Sequence, residues 1–404
     1  MSFVSVKFLL FILIVFIIYF LFPKKYRWTV LLGASIYFYI GVGIEAFLFL
    51  FSSAFTTYLA GIFLGKIRIQ IESSKKESDG GKDKILRLEK LKKIVFLIAV
   101  LINFGILCYL KYFNFIIDNI NSVLSIFTID FSFSEKSLFL PLGLSFYTFQ
   151  SMGYVIDVSR GKYKPETNFA KYSLFVSFFP QIVQGPISRY DQLGHQLIEG
   201  HEFDEKRIWD GLILMMWGYF KKLVIADRAA IFADEVFTNY AIHSGFETFA
   251  GLFFYGIQLY ADFSGGIDIT RSIAQIVGID IEQNFQRPFF SRSVGEYWRR
   301  WHMTLGNWMR DYIYYSVPMA RFVSKLSKKT KKVFGKHLGK VIPGSLATTF
   351  IFVIIGIWHD ASWNYLAYGL CNGLIIGVSS LFQPYYKKIY KFFRINPDCD
   401  SWKY

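Results

Sequence analysis

Ile342-Pro343-Gly344-Ser345-Leu346-Ala347-Thr348-Thr349-Phe350-Ile351-Phe352-Val353-Ile354-Ile355-Gly356-Ile357-Trp358-His359 is an uncharged, mostly apolar run that ends on a titratable side chain. Crossing a bilayer as a helix takes roughly 20 apolar residues, so 342–357 reads as a segment that enters the membrane and delivers His359 near its end. Histidine can hold or release a proton near neutral pH. At membrane depth an ionisable group is costly to keep, and it marks a functional site by default. The continuation Asp360-Ala361-Ser362-Trp363 sets His359 between two tryptophans. The stretch Glu296-Tyr297-Trp298-Arg299-Arg300-Trp301-His302-Met303-Thr304-Leu305 repeats the arrangement around His302. A lone histidine among aromatics is ordinarily a hydrogen-bonded core residue. Two in matching settings weaken that reading.

The surrounding composition agrees. Of 404 residues 53% are hydrophobic and 20% aromatic, with 45 phenylalanines. Soluble domains average about 45–50% apolar even with glycine counted, so a polytopic membrane protein is expected. The net charge of +15 collects in short basic runs between apolar segments. That pattern fits cytoplasmic loops facing anionic lipid and argues against a nucleic-acid surface. Cys108, Cys371 and Cys399 have neither metal-ligand spacing nor a disulfide framework, and the first two sit in apolar sequence as small hydrophobes. The first apolar stretch lacks a small-residue cleavage site before Pro23-Lys24-Lys25 and reads as a retained span.

Taken in order, 4–22, 28–42 and 46–64 are candidate spans, the last two parted at Gly41 to Gly43. The charged segment 66–93 reads as a cytoplasmic loop with helical character near 84–93. The positive-inside rule then puts the N-terminus outside. The run 94–110 returns outward, 112–133 reads as an interfacial stretch, and 137–158 goes back in. The run 172–183 is short, cut by Pro180 and closed by Gly185-Pro186. Such broken backbone is tolerated at depth only where it is buried in protein or lines a cavity, so a re-entrant segment is expected. The run 209–225 is interrupted by Lys221-Lys222. Asp262 and Asp268 lie near Gly265-Gly266 between the runs 248–263 and 269–277. Arg271, one helical turn from Asp268, is its expected ion-pair partner. A second basic loop at 325–340 and a last apolar run at 364–382 complete the pattern. The fold class is all-α, a polytopic integral membrane protein with roughly nine to eleven membrane-embedded segments. Its blocks are N-terminal helices (1–110), a core (111–382) and a basic tail (383–404).

No phosphate-binding loop, dinucleotide fingerprint, HExxH or GxSxG occurs. His302 and His359 have no third metal ligand close by in sequence. General acid–base work remains, and burial among tryptophans favours the neutral ring that a base needs. His195 and His201 sit in a polar, solvated stretch, while His243 and His337 sit in loops. A transporter lined by the Trp-His motifs, or a non-catalytic scaffold, stays open on the residues alone.

Several motifs, in order from about Pro141 to Gly373, resemble the membrane-bound O-acyltransferases. Within them they resemble the bacterial branch for alginate O-acetylation and teichoic-acid D-alanylation. They are Pro141-Leu142-Gly143-Leu144-Ser145-Phe146, Phe178-Phe179-Pro180-Gln181, Gln184-Gly185-Pro186-Ile187, Asp262-Phe263-Ser264-Gly265, Asn284-Phe285-Gln286-Arg287-Pro288-Phe289, Trp298-Arg299-Arg300-Trp301-His302 with Arg310-Asp311-Tyr312, and Gly356-Ile357-Trp358-His359. The resemblance implies a helical enzyme with a central tunnel. It would draw an acyl group from a cytoplasmic thioester, acetyl-CoA or a charged carrier protein, with no bound cofactor. The group would pass to an outer hydroxyl acceptor, through an extracytoplasmic acyltransferase partner, onto an exported or cell-wall polysaccharide.

His359 is then the expected general base and His302 a second site residue. Trp301, Arg299, Asn307, Asp311, Trp358 and Gln181 are expected to bind substrate. The Phe220-Lys221-Lys222-Leu223-Val224-Ile225-Ala226-Asp227 segment is closer to the alginate type. Asp360 stands where the family usually has glycine, a carboxylate next to His359 that could orient the ring or raise its pKa. The chain ends soon after Phe382, where many members of the family continue.

Overall fold

The computed structural model describes residues 3–75, 81–129, 131–314 and 321–393. All regular secondary structure among them is helical. Chain contacts divide it into two compact units: Met1–Asn114, Ser134–Gln286 and His302–Leu305 form the first, and Phe115–Phe133, Arg287–Trp301 and Gly306–Tyr404 the second.

In the first unit lie α1 (Val6–Leu21), α2 (Arg27–Ile40), α3 (Ile44–Ser74) and most of α4 (Gly81–Ile126). They are followed by α5 (Leu144–Arg160), α6 (Phe169–Ser177), α7 (Phe179–Gln184), α8 (Tyr190–Ile198), α9 (Glu205–Tyr219), α10 (Asp227–Thr238) and α11 (Gly245–Ile276). Helix α1 shows the solvent these elements are built for. Phe8, Phe11, Ile12, Val15 and Tyr19 face the core, while Leu9, Leu10, Leu13, Ile14 and Ile17 are equally apolar and exposed. A helix in water carries a polar outer face, so an apolar one calls for lipid. Among the described residues three helical stretches, Ile44–Ser74, Gly81–Ile126 and Val341–His359, are long and apolar enough to cross a membrane.

Polar groups inside this apolar packing pair between helices at several points. Asn103 on α4 takes a hydrogen bond from Ser53 at 2.7 Å and donates to the Ala99 carbonyl at 3.0 Å. Tyr172 on α6 donates to Thr57 at 2.8 Å. In a low-dielectric interior an unpaired group would cost several times the worth of one bond, so such pairs fix helix register.

The second unit holds α12 (Val294–Arg300), most of α13 (Met303–Tyr312), α14 (Arg321–His359), α15 (Trp363–Leu381) and α16 (Gln383–Phe392). Helices α14 and α15 form a tight hairpin because glycine lines the seam. A Cβ on Gly356 would stand 2.2 Å from the Tyr365 carbonyl oxygen, and one on Gly369 2.3 Å from that of Phe352. Gly373 and Gly377 continue the stripe at one-turn intervals, the spacing that lets membrane helices approach backbone to backbone.

Several expected boundaries shift. Both charged loops are helical where described: α3 runs to Ser74, α4 starts at Gly81, and 325–340 lies inside α14 with a break at Gly335 (φ 86°). Lysine and glutamate are good helix formers, so charge alone does not end a helix. The stretch 112–133 is no separate element, since α4 continues to Ile126. Helix α11 passes unbroken through Gly265-Gly266. Those glycines serve contact: Gly265 abuts the Gly218 carbonyl of α9, and Gly266 the Gln184 side chain. Helix α5 starts only at Leu144, after Gly143 in a left-handed conformation (φ 74°) packed on the Ile182 carbonyl.

Candidate active site

His302 lies between α12 and α13 with φ at 45°, a left-handed backbone that a bulky residue adopts only when its surroundings hold it there. Asn284 does the holding. Its carbonyl accepts from Met303 N–H at 3.0 Å, and its side-chain Oδ1 accepts from Thr304 N–H at 2.9 Å. The Thr304 hydroxyl adds a bond to the same Oδ1 at 3.0 Å and accepts from Ile187 N–H at 3.1 Å. His302 Nδ1 stands 3.1 Å from Asn284 Nδ2. Asn284 is fully buried and His302 only 2% exposed. Among the rings against the imidazole are Phe263, edge-on at 4.9 Å, and Phe146, at 6.4 Å. Phe285 packs on Phe263 at 5.0 Å and ties the Asn284 loop to α11.

The broken segment takes the expected form. Helix α6 stops at Ser177, Phe178 is non-helical, and α7 restarts with Pro180 in its first turn, where a missing N–H costs nothing. Gln181 is 3% exposed, and its amide donates to the Pro186 carbonyl and to Gln150 Oε1 (3.3 Å). Thr270 of α11 donates to the Pro180 carbonyl at 2.9 Å, and Ser35 of α2 accepts from Phe179 N–H at 3.1 Å. Gln181 therefore fastens the turn that leads through Ile187 to Thr304. Its Oε1 has no partner among the described residues.

A second polar centre surrounds the π-helical turn Phe220–Ala226. Lys221 Nζ lies 2.6 Å from Asp268 and 3.0 Å from Ser264 Oγ, and Lys222 reaches Asp262 at 2.6 Å and Asp227 at 3.1 Å. Arg271 pairs with Asp268 as expected, but at 3.6 Å it is the longer of two bridges.

In the second unit His359 ends α14, half-buried, with Trp358 at 4.9 Å and Tyr365 stacked at 5.8 Å. Trp358 is buried. Asp360 is exposed, and its carboxylate makes no bond among the described residues, so it does not orient the ring. Trp301 is buried and stacks on Tyr297 at 5.5 Å. Trp298 donates to Asn372 of α15 at 3.1 Å. Arg299 is exposed, Asn307 half-buried, and Asp311 half-buried with Arg310 at 3.2 Å. His302 and His359 fall in different units.

Residues 165–398 match the model of the MBOAT, membrane-bound O-acyltransferase family, a span that contains both histidines. The chain belongs to this family. It is accordingly an all-α integral membrane protein. Among its relatives, the probable alginate O-acetylase of Azotobacter vinelandii is 30% identical over 89% of this chain and 65% of its own length. The peptidoglycan O-acetyltransferase of Helicobacter pylori is 28% identical over 71% of this chain and 55% of its own. The teichoic acid D-alanyltransferase of Bacillus subtilis is 28% identical over 61% and 60%. The chain spans just under two thirds of the alginate-type relative's length.

Sequence reading singled out both histidines as candidates, but neither Asn284, which the structure sets against His302, nor Thr304, which Asn284 also holds. The signal for Asn284 was its place in the Asn284-Phe285-Gln286-Arg287-Pro288-Phe289 motif, 18 residues before His302.

Proposed function

We propose that the protein is a multi-pass plasma-membrane enzyme that moves an acyl group from a cytoplasmic thioester to a hydroxyl acceptor outside. Acetyl from acetyl-CoA is the first choice of donor group, and an exported or cell-wall polysaccharide the destination. An extracytoplasmic acyltransferase partner completes the route. The observation that carries this reading is that the family match takes in both histidines: one at the end of an apolar helix, the other buried and oriented by Asn284. In the step itself His359 takes the proton of the attacking hydroxyl as its oxygen bonds to the acyl carbon. The carbon–sulfur bond breaks, and the thiolate takes up the proton. General-base assistance of this kind is worth roughly 10²–10⁴-fold. Arg299, Asn307, Asp311, Trp301, Trp358 and Gln181 are the residues proposed to shape the substrate path.

D-alanyl transfer from a carrier protein is the second reading, favoured by the D-alanyltransferase relatives. The donor decides between them. Purified protein would be offered labelled acetyl-CoA and, separately, D-alanyl carrier protein, each with a cell-envelope extract. Acetyl-CoA consumption with label in the extract supports the first reading, and turnover only with the carrier supports the second. Inertness toward both, in protein shown to be folded, would leave a scaffold.

A further inference from the structure

The hydrogen bonds around Asn284 run in one direction, and that direction fixes the chemistry of His302. A backbone N–H can only donate, so the 2.9 Å contact from Thr304 N–H identifies the Asn284 atom it meets as the oxygen. The other amide atom, the nitrogen, is therefore the one 3.1 Å from His302 Nδ1. The Thr304 hydroxyl accepts from Ile187 N–H, so its own proton is available to the same Oδ1 at 3.0 Å. That oxygen then has both lone pairs engaged. A His302 Nδ1–H pointed at it, across 3.3 Å, would be a third donor on one carbonyl oxygen.

We infer that Asn284 is a positioning residue that holds His302 as the tautomer with an unprotonated Nδ1 and a proton on Nε2. Which ring nitrogen carries the proton is set by the bond the other makes, and here the other accepts. His302 thus presents an N–H to its surroundings and acts as a hydrogen-bond donor. It is not a second general base. The two histidines of the proposed reaction have unlike tasks, proton acceptance at His359 and donation at His302. This division of labour rests on the acyl-transfer reading, whereas the tautomer does not.

The same network ties the site to the broken segment. Ile187 follows the turn that Gln181 fastens, and its N–H starts the chain that passes through Thr304 and Asn284 to the ring. Asn284 also takes the consecutive N–H groups of Met303 and Thr304, the contacts that keep His302 in its left-handed backbone. One residue sets both the ring's orientation and its proton.

The test is nitrogen NMR of the full-length protein with ¹⁵N-labelled histidine in lipid nanodiscs, the His302 signals being assigned by their loss in His302→Gln. Nδ1 without a proton and Nε2 with one are expected in the unaltered protein. Asn284→Asp is isosteric and can accept every bond that Oδ1 accepts. It offers the ring no donor, so it should move the proton to Nδ1. With an acyl donor, that variant should lose on the order of 10²-fold in kcat with little change in KM, as when one preorganised donor is removed. Nδ1–H in the unaltered protein, or an Asn284→Asp variant whose tautomer stays put, would overturn the inference. Because the NMR readout needs no turnover, an inactive protein with the expected tautomer would count against the acyl-transfer reading alone.

Discussion

Lys221 and Asp268 meet at 2.6 Å with side chains 9% and 15% exposed, joining the π-helical turn after α9 to the C-terminal half of α11. Removing one partner of a buried pair leaves an uncompensated charge, at a cost of about 3–5 kcal/mol, whereas replacing both by apolar residues is often near neutral. Arg271, at 3.6 Å, covers part of the loss. Lys221→Met should therefore lower the thermal unfolding midpoint in detergent markedly, and Lys221→Met with Asp268→Leu should recover most of it. A single variant no less stable than the double would show that the pair contributes little.

The α14–α15 seam predicts a second effect. An alanine at Gly369 would bring its Cβ to 2.3 Å from the Phe352 carbonyl oxygen, so the helices must part. Overpacking of this kind costs about 1–3 kcal/mol. Because His359 ends α14 and stacks on Tyr365 of α15, Gly369→Ala should reduce acyl transfer as well as stability. Gly256→Ala, at a position with nothing within 4 Å of the new methyl, should change neither.

Acid should loosen α12 through Glu296. Its carboxylate accepts from Arg292 N–H at 2.9 Å and from Arg300 at 2.5 Å, and these bonds hold its pKa below the ordinary value. The unfolded chain then takes up a proton first as pH falls. The stabilisation is whole above the ordinary carboxylate value, about 4.3, and is lost as pH falls through the lowered one. Unfolding midpoints between pH 7 and pH 3 should fall more steeply for the unaltered protein than for Glu296→Gln. Parallel curves would contradict this.

Much of this was legible in the chain because hydrophobicity and backbone rules act locally. The apolar runs, the break at Pro180 and the Asp268–Arg271 pairing one turn apart all follow from neighbours in sequence. The Trp-His motifs likewise pointed to the two histidines. What was hidden depends on distant partners. Lys221 finds Asp268 47 residues away, and Asn284 finds His302 across 18. Gly265-Gly266 left the apolar runs on either side unjoined because glycine's two uses, chain reversal and close approach, leave the same letter. Lysine-rich 325–340 looked like a loop because charge indicates solvent exposure and says nothing of helicity.

The central claim is that His359 carries the acyl-transfer step. The most direct measurement is CoA release from acetyl-CoA, in the presence of a cell-envelope acceptor extract, by the unaltered protein and by His359→Ala purified and folded to the same extent. The account predicts turnover in the first and a loss of at least about 10²-fold in the second, the lower end of what a general base supplies. Equal release by the two proteins would contradict it.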